Sequence, residues 1–193
     1  RGKPIGESGT NSNGVIIAPS IEAKQWGVKT GMRFNEAKAI CPDLLAVSPE
    51  SAVYRKYHVG IMNVLRKYAD EVIPKSIDEA VVNLTSYKLV YPDIEALAKQ
   101  IKSDITHEVG DWLRCSIGIE PNTFLAKLAT DLQKPDGLVR IDAQNIDTVL
   151  AGLQLTDLPG IAERWALRLK RSGIQSPVQL RHTSPQVLKK IMG

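Results

Sequence analysis

Apolar residues recur along this chain in two rhythms, a helical one and a strand-like one, and their alternation predicts its elements. Between Ser51 and Ala69, Tyr54, Tyr57, Ile61, Val64, Leu65 and Tyr68 repeat at helical spacing opposite Arg55, Lys56, Asn63, Arg66 and Lys67, which predicts a core-packed amphipathic helix. At that period the tyrosines read as core residues, a stacking platform for bases being the alternative. Two short apolar runs follow, Val72-Ile73 and Val81-Val82-Asn83-Leu84, and read as strands. Asp93 is placed to cap a helix running through Val109, with Ile94, Leu97, Ala98, Ile101 and Ile105 on one side. Leu113, Cys115, Ile117 and Ile119 then alternate as a half-buried strand. Asn122 opens a helix from Thr123 to Gln133 with Leu125, Leu128 and Leu132 inward. Lys134-Pro135-Asp136-Gly137 is a turn, and Leu138-Val139-Arg140-Ile141 a last strand. Strand, strand, helix, strand, helix, strand predicts an α+β fold, a sheet with helices on one face.

The flanking segments differ from this middle. Gly6 to Gly14 is polar and Gly-rich and reads as a mobile loop. Val15-Ile16-Ile17-Ala18 is a short strand broken by Pro19, Ser20 caps a brief helix from Ile21 to Trp26 that stops at Gly27, and Asn35 caps a second one from Glu36 to Cys41. This opening lobe is small and thinly cored. From Asp142 onward the pattern is helical only: Ala143 to Leu153, then Ala162 to Arg171 after the turn Leu158-Pro159-Gly160-Ile161, then short helices after Ser172-Gly173-Ile174.

With 193 residues, 43% of them hydrophobic, the chain has material for one sizeable core or two to three small lobes. No apolar run is long enough to span a bilayer, and Arg1 to Gly6 lacks the apolar stretch of a signal peptide, so a soluble protein is expected. Cys41 and Cys115 are far apart and without metal-ligand company, which fits a reducing compartment and thiols used as small core residues. The net charge of +4 is unevenly spread: Leu158 to Gly193 holds seven basic residues and one acid, while the rest is slightly acidic. A polyanionic partner for the basic end follows from that asymmetry, a basic lobe with no partner being the plainer alternative.

The chemistry centres on Lys75-Ser76-Ile77-Asp78-Glu79-Ala80, between two strand-like runs. Neighbouring side chains on a straight strand point to opposite faces, so Asp78 and Glu79 converge only if the chain turns there, as at a hairpin corner. Converging carboxylates at a strand end suit Mg2+, which takes oxygen ligands and keeps room for water and phosphates. For an isolated Asp-Glu pair, a solvated turn that merely uses polar residues is the plainer reading. In the basic end, the Leu-Pro-Gly-Ile turn places backbone N–H groups at a tight Gly turn and a helix N-terminus, an arrangement that binds phosphate without reading sequence. An ordinary helix–helix turn is the alternative.

Five motifs taken in order make the chain resemble the Y-family, or lesion-bypass, DNA polymerases: Glu22-Ala23-Lys24-Gln25-Trp26-Gly27-Val28-Lys29-Thr30-Gly31-Met32; Ser76-Ile77-Asp78-Glu79-Ala80; Ser116-Ile117-Gly118-Ile119 with Phe124-Leu125-Ala126-Lys127-Leu128-Ala129; Lys134-Pro135-Asp136-Gly137; and Leu158-Pro159-Gly160-Ile161. The resemblance implies fingers over residues 1–50, palm over 51–141 and a helix-hairpin-helix thumb over 142–193. It implies a low-fidelity, template-directed polymerase of translesion synthesis, using two Mg2+ ions, primer-template DNA and deoxynucleoside triphosphates. Asp78 and Glu79 then stand as catalytic metal ligands, and Lys134 as a triphosphate contact. Val15 and Ile17 roof the nascent base pair, Lys24 joins the nucleotide contacts, and Gly160, Ile161, Arg164, Arg168, Lys170 and Arg171 form the DNA-binding set.

The same resemblance implies that the first palm strand, with a third metal-binding Asp and a ribonucleotide-excluding aromatic, precedes Arg1, and that a little-finger domain follows Gly193. This stretch alone is therefore expected to be inactive. It further implies a sliding-clamp contact through C-terminal regions outside this sequence, no membrane, and a cytoplasmic, nucleoid-associated location in a bacterium or a nuclear one in a eukaryote. Ile21 and Lys24 stand where many members carry Tyr and Arg; Ile cannot hydrogen-bond a phosphate and Lys cannot bind one bidentately. Those departures motivate a second reading, a catalytically inactive polymerase-derived module that binds DNA or a repair partner. An unrelated basic helix-hairpin-helix protein is a third, and it leaves Ser76 to Ala80 and Lys134 to Gly137 unexplained.

Overall fold

The computed structural model of the protein describes residues 2–9 and 14–193. It falls into two compact units, residues 1–56 and 57–193.

In the first unit β1 (Ile5–Ser8) is the middle strand of three, antiparallel to β2 (Ile16–Pro19). Helices α1 (Ile21–Gln25) and α2 (Phe34–Ile40) lead to β3 (Leu45–Val47), which runs parallel to β1. The stretch expected as a loop from Gly6 thus begins as a central strand. Its inward positions are Gly6 and Ser8, small residues that carry no hydrophobic signal although both are buried. The remainder of that expected loop, residues 10–13, lies outside the described residues. Ser20 caps α1 by accepting from the Ala23 N–H. The cap of α2 is Arg33 rather than Asn35, its N–H bound by the Glu36 carboxylate. Ile16, Ala23, Val28, Phe34, Ala37, Cys41 and Leu44 make this unit's own core, fuller than the sequence pattern implied.

Helix α3 (Ser51–Leu65) carries the chain across the division into the second unit. Met62, Val64 and Leu65 are buried there, whereas Tyr54 and Tyr57 are exposed, so the core-packed face occupies only the C-terminal part of the helix. Strands β4 (Val72–Pro74) and β5 (Ala80–Val82) form an antiparallel hairpin. Asp93 caps α4 (Ile94–Asp104) by accepting from Glu95 and Ala96, and a π-type turn, Ile105–Val109, follows. Then come β6 (Ile117–Ile119), α5 (Thr123–Leu132) capped by Asn122, and β7 (Leu138–Arg140), which pairs parallel to β6. The single expected sheet is instead two separate strand pairs among the described residues. Alternation shows which residues face a core but does not name a strand's neighbour.

Beyond Ile141 lie α6 (Ile146–Ala151), α7 (Glu163–Arg171), α8 (Pro177–His182) and α9 (Pro185–Met192). Their core is continuous with the preceding layer: Leu128, Ala129 and Ile141 pack with Leu150, Leu155, Leu158, Ile161, Ala166, Leu169 and Ile174. At this junction Glu120 accepts from the Ile141 N–H through Oε1, while its buried Oε2 has no partner among the described residues. Burial, helped by Asp142 and opposed by the Ile141 N–H and Arg140, pushes its carboxyl up to about 7. No helix among the described residues is long and apolar enough to cross a membrane.

Candidate active site

The β4–β5 connection turns because Glu79 C=O accepts from two successive N–H groups, Lys75 at 2.8 Å and Ser76 at 3.2 Å. Ser76 Oγ donates to Asp78 Oδ1 at 2.6 Å and accepts from the Asp78 N–H at 3.3 Å, tying the Asp78 side chain to the turn. From α3, His58 Nδ1 lies 2.9 Å from Ile77 C=O. A carbonyl can only accept, so this bond places the proton on Nδ1. The acidic pair therefore sits on the corner anticipated from the sequence, fixed to α3 on one side.

The other fixing point comes from α5. Lys127 Nζ donates to Glu79 Oε1 at 2.6 Å and lies 3.4 Å from Asp131 Oδ2, and Asp131 Oδ1 pairs with Lys134 Nζ at 2.6 Å. The hydrogen bond to Glu79 holds the Lys127 ammonium above its ordinary range. Partial burial works against ionisation of Asp131, but Lys134 and Lys127 outweigh it and lower its pKa. Lys127 and Asp131 had no role in the sequence reading. Their signal is the i, i+4 spacing of Lys127 and Asp131, which puts opposite charges on one face of α5, with Lys134 two residues past its end.

Lys134 begins a turn that is held on two sides. Ser116 Oγ accepts from the Gly137 N–H and donates to Gln133 C=O, each at 3.0 Å, and Lys102 Nζ reaches Asp136 Oδ1 at 3.0 Å. A Cβ at Gly137 would fall 1.9 Å from Gln133 O, so no other residue fits there. Asn83 also gains a structural part: it donates to Glu71 and accepts from the Thr85 N–H, closing the far end of the hairpin.

Each carboxylate keeps one oxygen open. Asp78 Oδ1 and Glu79 Oε1 are engaged, while Asp78 Oδ2 and Glu79 Oε2 have no partner among the described residues. Open carboxylate oxygens are hard donors of the kind a divalent cation takes. Among the described residues no third Asp, Glu, His or Cys joins them.

The remaining residues nominated from the sequence belong to the first unit and to the helical region. In the first unit Val15 and Ile17 are 50% and 52% exposed on either side of buried Ile16, and Lys24 is exposed on α1. In the helical region Gly160 turns the chain at φ +82°, and Ile161 is buried with its N–H given to Leu158 C=O at 3.0 Å. Ile161 thus supplies packing to the turn, not a free donor. Arg164, Arg168, Lys170 and Arg171 are exposed on α7, Arg168 over the Trp165 ring at 5.2 Å, and none enters an ion pair among the described residues.

Solved structures share this mixed α+β architecture. A Y-family DNA polymerase chimera of Dbh and Dpo4 matches with a TM-score of 0.86 at 31% identity, covering 100% of this chain and 57% of its own. Dbh DNA polymerase in an insertion ternary complex gives 0.86 at 32%, covering 100% and 57%, and DinB from Sulfolobus solfataricus gives 0.84 at 31%, covering 100% and 56%. The impB/mucB/samB family model matches residues 1–131, and the chain belongs to this family of Y-family DNA polymerases. It is 34% identical to DNA polymerase IV of Pelotomaculum thermopropionicum over 195 residues, covering 100% of this chain and 48% of that protein. It is 39% identical to DNA polymerase IV of Staphylococcus aureus over 166 residues, covering 84% and 46%. The chain spans about half the length of these curated relatives.

Proposed function

We propose that the full-length protein is a template-directed DNA polymerase of low fidelity that acts in translesion synthesis. The observation that carries this is the acidic corner, where Asp78 and Glu79 each keep an open oxygen and Glu79 is linked through Lys127 and Asp131 to Lys134, in a chain whose relatives are named DNA polymerase IV. Asp78 Oδ2 and Glu79 Oε2 would hold divalent cations, with Mg2+ the ion their hard oxygen chemistry suits best. The chemistry such ions supply when bound is a lowered pKa for the primer 3′-hydroxyl and charge neutralisation of the leaving pyrophosphate.

The chain's own residues do the rest. Ser76 and Lys127 orient the two carboxylates, and Lys134 offers a point charge to the triphosphate. Val15, Ile17 and Lys24 are the nucleotide-facing positions of the first unit. Residues 1–50, 51–141 and 142–193 serve as fingers, palm and thumb, the thumb holding DNA through a helix-hairpin-helix at Gly160 and through Arg164, Arg168, Lys170 and Arg171. Primer-template DNA and deoxynucleoside triphosphates are the substrates, and a sliding clamp is a further partner. The inactive-module reading draws no support from relatives that carry the polymerase name. Primer extension by the full-length protein and by its Asp78→Ala variant tests the proposal; equal extension by the two would remove the role given to Asp78.

A further inference from the structure

Two charged residues stand between the acidic corner and Lys134, and each contacts one of them. We infer that Lys127 and Asp131 are positioning residues that couple the Glu79 carboxylate to Lys134, so that metal affinity and nucleotide affinity are set together; this rests on the polymerase reading above.

Lys127 is on α5 immediately before Leu128 and Ala129, both buried, so its backbone is anchored in the core and its ammonium is presented from a rigid element. Of the two Glu79 oxygens it engages Oε1, which leaves Oε2 open and restrains the carboxylate. A glutamate side chain without that anchor samples several rotamers, only some of which turn Oε2 outward. Asp131 lies one helical turn further on and divides its carboxylate between two ammonium groups, Oδ2 toward Lys127 at 3.4 Å and Oδ1 toward Lys134 at 2.6 Å. Removing that carboxylate leaves two like charges facing each other and frees Lys134, so a change at either end is felt at the other. All these groups are partly exposed, so the coupling is of the modest size that solvent-screened pairs show.

The test uses full-length protein bound to primer-template DNA, with Lys127→Met, Asp131→Asn, Asp131→Glu and the double variant Lys127→Met/Asp131→Asn. Mn2+ affinity is read by electron paramagnetic resonance, and KM for the nucleotide is separated from kcat. Lys127→Met is expected to weaken Mn2+ binding by about fivefold and Asp131→Asn to raise the nucleotide KM by about fivefold with a smaller change in kcat, each variant also weakening the other affinity by about twofold. Asp131→Glu restores KM, and the double variant falls short of the product of the single effects. A merely structural pair lowers thermal stability and leaves both affinities alone; that result, or strictly multiplicative effects, overturns the coupling. Asp78→Asn is run alongside. If it keeps Mn2+ binding and extension, the metal-site reading itself fails. If it loses both while the Lys127 and Asp131 variants behave as wild type, the coupling alone falls.

Discussion

The acidic corner and helix α7 solve opposite problems. At the corner the carboxylates have partners: Asp78 with Ser76, Glu79 with Lys127, Asp131 with both Lys127 and Lys134. On α7 the four basic side chains have no counter-charge among the described residues, and what holds the helix in place is the buried row of Ala166 and Leu169 on its other face. Paired charges on short, well-tied segments hold a few oxygen atoms in place. Unpaired cations on a core-anchored helix set up a positive field over its exposed face.

Substitutions that separate anchoring from charge sharpen this contrast. Leu169 is fully buried, and Leu169→Ala is expected to cost about 2–5 kcal/mol of unfolding free energy in chemical denaturation. Ile77→Ala at the corner, where the side chain is 51% exposed, should stay within about 0.5 kcal/mol. Similar costs at both sites would break the distinction between core-held and hydrogen-bond-held regions. Next in size, replacing Arg164, Arg168, Lys170 and Arg171 together by Gln is expected to weaken DNA binding by about a hundredfold at low salt. The plot of log affinity against log salt should flatten by about three to four, roughly one for each phosphate no longer neutralised, while Mn2+ affinity stays put. Gly160→Ala, at φ +82° with open space around the missing Cβ, should cost about 1 kcal/mol through backbone strain alone.

The smallest effect is expected at Glu120. Its folded-state carboxyl is raised above the ordinary 4.5 to about 7, so the folded chain holds a proton that the unfolded chain gives up. The stability it lends is fully present below the unfolded value, declines as pH rises from there through about 7, and is absent above. Glu120→Gln should flatten that slope in thermal denaturation followed over this pH range.

The corner was legible because three signals agreed there: two short apolar runs, an acidic pair, and the need for a turn to bring that pair together. The caps at Ser20, Asp93 and Asn122 were legible for a similar local reason, since each side chain bonds an N–H two or three residues on. What was not legible depends on distant neighbours. The strand at Ile5–Ser8 buries Gly6 and Ser8, which look like loop residues until β2 and β3 are laid against them. The helical period at Tyr54 and Tyr57 does not reveal that the core stops short of them. Lys127 and Asp131 read as the solvated face of a helix, and only the hairpin corner arriving beside them gives Lys127 its partner Glu79.

Single-nucleotide incorporation by the full-length protein, titrated with Mg2+ and compared with its Asp78→Asn variant, tests most directly whether the Asp78 and Glu79 corner is the metal-binding centre of a polymerase. Incorporation by the wild type and a loss of about a hundredfold or more in the variant at every metal concentration is the predicted result. Equal incorporation with the same metal dependence in both proteins would contradict it.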